Sequence, residues 1–166
     1  MTGKPTYEEL EQRVRELENA ETERKHAEKV LRESEYKFRR LAEYAPVQIS
    51  IIALENETRY LYVNHEWEKG FGYTKDELDK IRPIDIVHPE MRQLVLDNAQ
   101  KRLQGLETSG RYELKVVTKS GETRIVDFSP IPIEYENKIA ILATAIDITE
   151  RKRAEEALRE SEATVH

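Results

Sequence analysis

Apolar and small residues recur at intervals of three and four from Tyr7 through Leu10, Val14, Leu17, Ala20, Ala27, Leu31, Ser34, Phe38 and Leu41 to Ala45. That spacing places them on one stripe of a helix. From Thr6 to Tyr44 there is no Gly or Pro, and the positions off the stripe are rich in Glu, Arg and Lys, all strong helix formers. The pattern predicts one long helix that ends at Pro46, where the hydrogen-bond ladder cannot continue. Arg24 takes one seam position, and two successive three-residue steps around Leu17 interrupt the heptad, which disturbs a supercoil there. A helix of about 37 residues rises roughly 55 Å, longer than a small domain is wide. A parallel dimeric coiled coil seamed by Leu10, Val14, Leu17, Leu31, Phe38 and Leu41 is therefore expected, in preference to a single helix lying on its own domain.

At Val47 the period changes to two. Val47, Ile49 and Ile51 alternate with Gln48 and Ser50, a turn follows over Asn56 to Thr58, and Tyr60 to Val63 is a short apolar run, together reading as a hairpin. From Asn64 to Leu106 the pattern is helical but punctuated by Gly70, Gly72, Arg82-Pro83 and His88-Pro89. Its last stretch carries Met91, Leu94, Val95, Ala99 and Leu103 on one face. Three more strands are predicted over Tyr112 to Thr118, Thr123 to Ile133 and Lys138 to Ile146, joined by turns at Lys119-Ser120-Gly121-Glu122 and Glu136-Asn137. Two strands, a helical crossover and three strands make an α+β domain: a five-stranded antiparallel sheet with helices on one face and an apolar gap between the layers.

Charge refines this division. Residues 1 to 44 hold 21 charged side chains and residues 150 to 166 hold 9, so a globular centre lies between charged helical ends. The expected organisation is a coiled-coil helix over 1–45, a globular α+β domain over 46–149 and a helical connector over 150–166. The chain has no Cys, which removes disulfides, thiolate nucleophiles and thiolate metal sites and suits a reducing compartment. No apolar run approaches the roughly 18 residues of a membrane span, and the first thirty residues lack the apolar centre of a signal peptide, so a cytoplasmic location without membrane insertion is expected. A net charge of −6 with no basic stripe argues against nucleic acid.

Thr22 to Glu35 and Thr149 to Glu162 are identical at 11 of 14 positions, at an offset of 127 residues. Order is matched as well as composition, so the same connecting helix enters and leaves the globular part, as in a tandem array of modules joined by helices.

Six segments in order then carry a family resemblance. They are Phe38-Arg39-Arg40-Leu41 with Ala45-Pro46, Tyr62-Val63-Asn64, Phe71-Gly72-Tyr73-Thr74-Lys75-Asp76-Glu77-Leu78, Asp85-Ile86-Val87-His88-Pro89-Glu90, Lys119-Ser120-Gly121-Glu122 and Asp147-Ile148-Thr149-Glu150-Arg151. From about Ser34 to Arg151 the chain resembles a PAS domain of bacterial sensor histidine kinases and diguanylate cyclases. The resemblance implies the five-stranded fold, a pocket between sheet and helices, and a role in signal transduction without chemistry of its own. It implies a downstream kinase, cyclase or further PAS module as partner, in a two-component type of system. The alternative is a spacer that dimerises and senses nothing.

Individual residues sharpen these expectations. Asp147 or Thr149 is placed to cap the exit helix, and in the resembling family the Asp147-Ile148-Thr149 motif couples the sheet to that helix. Glu66 and Gly70 depart from the family, which has a small residue and a Leu there. Four apart, they share a helical face, and if it looks inward they open space and offer a carboxylate. The plainer reading turns Glu66 outward and leaves Gly70 to bend the helix. With Trp67, more ordinarily a core residue, they join Ile49, Ile51, Val95, Ile125, Phe128, Leu142 and Thr144 as pocket candidates.

No two of His26, His65, His88 and His166 have metal-ligand spacing. Haem-binding relatives place an axial His on the long helix, and Glu90 to Gln104 contains none; flavin adduct photochemistry needs a Cys. The expected cofactor is none, or a small organic ligand. His26 lacks the sequence context of a kinase phosphoacceptor. Gly105 to Gly110 has P-loop glycine spacing but leads into Arg111-Tyr112 and a strand, so no catalytic residue is assigned.

Overall fold

The structure, a computed structural model, describes residues 3–54, 57–106 and 110–165. Asn56 of the first expected turn, the middle of the Gly105 to Gly110 segment and His166 lie outside the described residues. The chain divides into two compact units, Met1–Leu41 and Ala42–His166.

Helix α1 runs over Tyr7–Glu43. Its start is set by a reciprocal capping box: the Glu9 amide donates to Thr6 Oγ1 (3.2 Å) and the Thr6 amide donates to Glu9 Oε2 (2.9 Å). No side chain of α1 is buried. The seam residues Leu10, Val14, Leu17, Leu31, Phe38 and Leu41 are 45% to 69% exposed.

The second unit is built on strands β1 (Gln48–Ala53), β2 (Arg59–Val63), β3 (Tyr112–Val117), β4 (Thr123–Tyr135) and β5 (Lys138–Asp147). They form one antiparallel sheet in the order β2-β1-β5-β4-β3. The last two strands join through Glu136 (φ 50°) and Asn137 (φ 63°), both left-handed as a two-residue hairpin with a primed turn requires. Between β2 and β3 the chain forms α2 (His65–Phe71), 3-10 turns at Lys75–Lys80, Pro83–Ile86 and Pro89–Met91, and α3 (Arg92–Leu103). Gly72 ends α2 at φ 83°, its amide donating to the Glu68 carbonyl (2.8 Å). Helix α4 (Thr149–Thr164) follows β5 directly. Its sequence repeats that of Thr22 to Glu35, and both copies are helical.

The helices between β2 and β3 pack on the inner face of the sheet. Val63, Val116 and Val126 from three strands meet Trp67 and Phe71 of α2 and Ile86 and Val87 of the turns, all buried. Trp67 sits edge-on to Tyr60 with ring centroids 5.0 Å apart and tilted to Phe71 at 4.9 Å, contacts worth about 0.5–1.5 kcal/mol each beyond their buried area. Among the described residues no helix is long and apolar enough to cross a membrane.

Candidate functional site

The packing between sheet and helices is incomplete. A cavity of about 460 Å³ remains, within the roughly 300–1,000 Å³ common for small-molecule sites. Its floor comes from the inner faces of β1, β5, β4 and β3, and its roof from Trp67 and Phe71 of α2, the Pro83–Ile86 turn and Val95 and Ala99 of α3. Of the sequence candidates, Trp67, Val95 and Phe128 line it.

Ile49, Ile51, Ile125, Leu142 and Thr144 do not; in each case the neighbour does. Gln48, Ser50 and Ile52 face the cavity from β1, Val126 from β4, and Ile141, Ala143 and Ala145 from β5. Ladder partners Ile49 and Thr144, and Ile51 and Leu142, lie together on the opposite face, where Ile131 and Ile146 are also half exposed. Side chains alternate strictly along a strand, so choosing the wrong face displaces every residue of the set by one. The choice misleads here because the outer face is itself rich in Ile and Leu, while β1 turns Gln48 and Ser50 inward.

Gly70 explains how Gln48 is accommodated. A Cβ built at Gly70 lies 2.0 Å from Gln48 Nε2. The Leu that the family resemblance would put there is replaced by space, and the amide of Gln48 fills it. Gly70 therefore acts on the cavity through Gln48. Glu66 is half-buried and does not line the cavity, so its place among the pocket candidates is corrected, in line with the plainer reading: α2 presents Trp67 and Phe71 inward, and Glu66 is off that stripe. Gln48 was missed because an inward polar residue contradicts the usual alternation rule. The one available signal was the unusual Gly70, one residue before the end of the helical run that follows.

Asn64, within the resemblance but assigned no role from the sequence, is completely buried and makes four side-chain hydrogen bonds. Its Oδ1 accepts from the amides of Ile49 (2.9 Å) and Trp67 (3.1 Å), and its Nδ2 donates to the carbonyls of Ala42 and Val47 (2.8 Å each). One side chain thus caps α2 and ties it to β1 and to the last turn of α1. Beside it, Glu43 accepts from Tyr62 Oη (2.7 Å) and Lys75 Nζ (2.6 Å). Burial pushes the Glu43 carboxyl up, but these hydrogen bonds and the Lys75 charge outweigh it and hold it below its ordinary value.

At the other end of the sheet, Asp147 does the capping. Its Oδ1 accepts from the Thr149 amide (2.9 Å) and from Thr149 Oγ1 (2.5 Å), while Arg124 pairs with its other oxygen (3.2 Å). Thr149 is the first helical residue, and its hydroxyl also accepts from the Ile125 amide (3.0 Å). The Ile148 amide donates to the Ile125 carbonyl (2.9 Å), and Lys152 pairs with Glu113 (2.7 Å). Ile125, expected in the pocket, lends its backbone to this junction instead. Asp147, Ile148 and Thr149 are thereby brought together with β4 at the root of α4. Among the described residues no group of three His, Asp or Glu is arranged to hold a metal.

The profile of the PAS fold family matches residues 60–145. The chain belongs to the PAS family. Over 160 residues, 95% of this chain, it is 32% identical to the methyl sulfide methyltransferase-associated sensor of Methanosarcina acetivorans. Over 148 residues, 87% of the chain, it is 30% identical to sporulation kinase E of Bacillus subtilis. It spans 16% and 19% of the lengths of these two relatives. A solved domain of a sensory box sensor histidine kinase/response regulator from Geobacter sulfurreducens superposes with a TM-score of 0.58 at 26% identity, covering 70% of this chain and 96% of that one. These relatives support a signal-sensing role.

Proposed function

We propose that the chain is a cytoplasmic, non-catalytic sensory or relay module that forms a homodimer through α1. It passes changes in its cavity along α4 to an output module: a histidine kinase, a diguanylate cyclase or a further PAS unit. The observation that carries this reading is the path of β5. The strand floors the cavity with Ile141, Ala143 and Ala145, and two residues later Asp147 caps α4 with no intervening loop. An occupant that prefers one placement of β5 biases the exit helix by its differential affinity for the two arrangements, and by no more than that. The repeated connector sequence supports membership of an array, and the exposed seam of α1 supports self-association through that helix. The occupant is a small organic ligand; haem and flavin adducts are not invoked, since α3 holds no His and the chain no Cys.

Native mass spectrometry of the purified chain tests both halves of the reading. A dimer retaining a discrete extra mass is expected. A clean dimer without added mass favours a spacer, and a monomer overturns self-association through α1. For the coupling, Asp147→Ala in an intact receptor is expected to blunt the signal response while the domain stays folded; an unchanged response refutes it.

A further inference from the structure

Gln48 is 93% buried by its 7% relative exposure, yet its Oε1 has no hydrogen-bond partner in the protein. The Tyr112 hydroxyl is likewise buried and unpartnered. Leaving such atoms unpaired is costly, so each one points to a missing polar contact. The sheet register relates them. Gln48 pairs with Ala145, Ala145 with Phe128, and Phe128 with Tyr112, so all four lie in one row across β1, β5, β4 and β3. Three strand spacings separate the two ends, roughly 14 Å between backbones. Between them the floor is a small Ala and a flat Phe ring, the latter edge-on to Tyr112 at 5.5 Å.

The ionisable groups around the cavity are already answered or exposed. Arg82 is largely exposed and paired with Asp85 (2.9 Å), Arg102 has a partner of its own, and Glu57 lies at the exposed rim. Burial raises the Tyr60 phenol well above its ordinary pKa and keeps it neutral. An ionised group brought inside meets mainly apolar walls, and the cations at the lining, Arg82 and Arg102, are already engaged.

We propose that the cavity takes an uncharged, elongated, flat aromatic molecule with a hydroxyl-like polar group at each end, one donating to Gln48 Oε1 and the other bonded to the Tyr112 hydroxyl. This rests on the sensory reading above and names the chemistry of its ligand. Gly70 is a specificity-determining position in this scheme, because any side chain there displaces the Gln48 amide.

The full chain is titrated by calorimetry with three probes: 4,4′-dihydroxybiphenyl, biphenyl and biphenyl-4,4′-dicarboxylate. Trp67, the chain's single Trp and part of the cavity wall, gives an independent fluorescence readout. The diol is expected to bind about 10-fold or more tighter than biphenyl, one hydrogen bond to a buried group being worth about that factor, and the dicarboxylate weakest of the three. Gln48→Leu and Tyr112→Phe each lower diol affinity about 10-fold and leave biphenyl unchanged. Gly70→Ala does the same through Gln48. It does so without endangering the fold at the backbone, since Ala favours a helix more than Gly does. Equal affinity for diol and biphenyl, a preference for the dicarboxylate, or indifference to Gln48→Leu overturns the proposed ligand class while leaving a ligand sensor. Failure of all three probes also overturns the class. The sensory reading itself falls only if native mass spectrometry finds no retained mass as well.

Discussion

Replacing Asn64 by Ala removes one side chain and strands four backbone groups at once. The amides of Ile49 and Trp67 lose their acceptor, and the carbonyls of Ala42 and Val47 lose a donor. The site is completely buried, so water does not replace them. Each orphaned buried amide costs about 1–3 kcal/mol, which alone sums to roughly 2–6 kcal/mol with a centre near 4. For a unit of this size a loss of 1 kcal/mol lowers Tm by about 4 °C, so Asn64→Ala is expected to melt about 16 °C lower. Asn64→Ser separates the two jobs of the residue. Serine caps a helix nearly as well as Asn, and so recovers the Trp67 bond, about 1 kcal/mol, while Ile49, Ala42 and Val47 stay unpaired. Its Tm is therefore expected about 4 °C above that of the Ala variant and about 12 °C below the parent. Melts by circular dichroism, with amide exchange read at Ile49 and Trp67, check both. A loss below about 4 °C in Asn64→Ala, or full rescue by Ser, refutes the argument that Asn64 clamps Ala42, in the last turn of α1, to β1 and α2.

Three further outcomes follow from the same geometry. Thr149→Val leaves the Ile125 amide unpaired and removes a donor from Asp147, at about 1–3 kcal/mol, and loosens the first turn of α4; a parental melt with unchanged amide exchange at Ile125 refutes the junction as described. The Glu43 carboxyl lies below its ordinary value of 4.5 in the folded state, so its bonds to Lys75 and Tyr62 stabilise above that pH and are lost as pH falls through the lowered value. Glu43→Gln, costing about 1 kcal/mol or less at neutral pH because the pair is partly exposed, is expected to flatten the acid limb of the stability curve, and an unaltered limb contradicts this. Glu136→Asn places a residue tolerant of the left-handed region in the β4–β5 turn and is expected to raise Tm by about 2–4 °C; no gain in the melt contradicts the turn assignment.

The fold was largely legible along the chain because its signals are local. Three-four spacing without Gly or Pro marks α1, alternation marks β1, and turn chemistry at Gly121 and at Glu136-Asn137 marks two hairpins. The exit junction was legible for the same reason, since a cap and the helix it serves are neighbours in sequence. The repeated Thr22 to Glu35 and Thr149 to Glu162 segments disclosed two matching helices without any geometry at all.

Which face of the sheet is covered was decided elsewhere. A period of two divides a strand into two sets of side chains but does not say which set meets the helices, and both sets here contain apolar residues. That choice depends on ladder partners up to about a hundred residues away, such as Ile49 with Thr144 and Ser50 with Ala143. It depends as well on Gly70, whose missing side chain makes room for an inward Gln48. The sequence alone determined the elements, their order and the family. Only the tertiary structure, by closing long-range pairs that no local pattern encodes, turned Gln48 and Tyr112 toward the same cavity and joined Asp147 and Thr149 to Ile125.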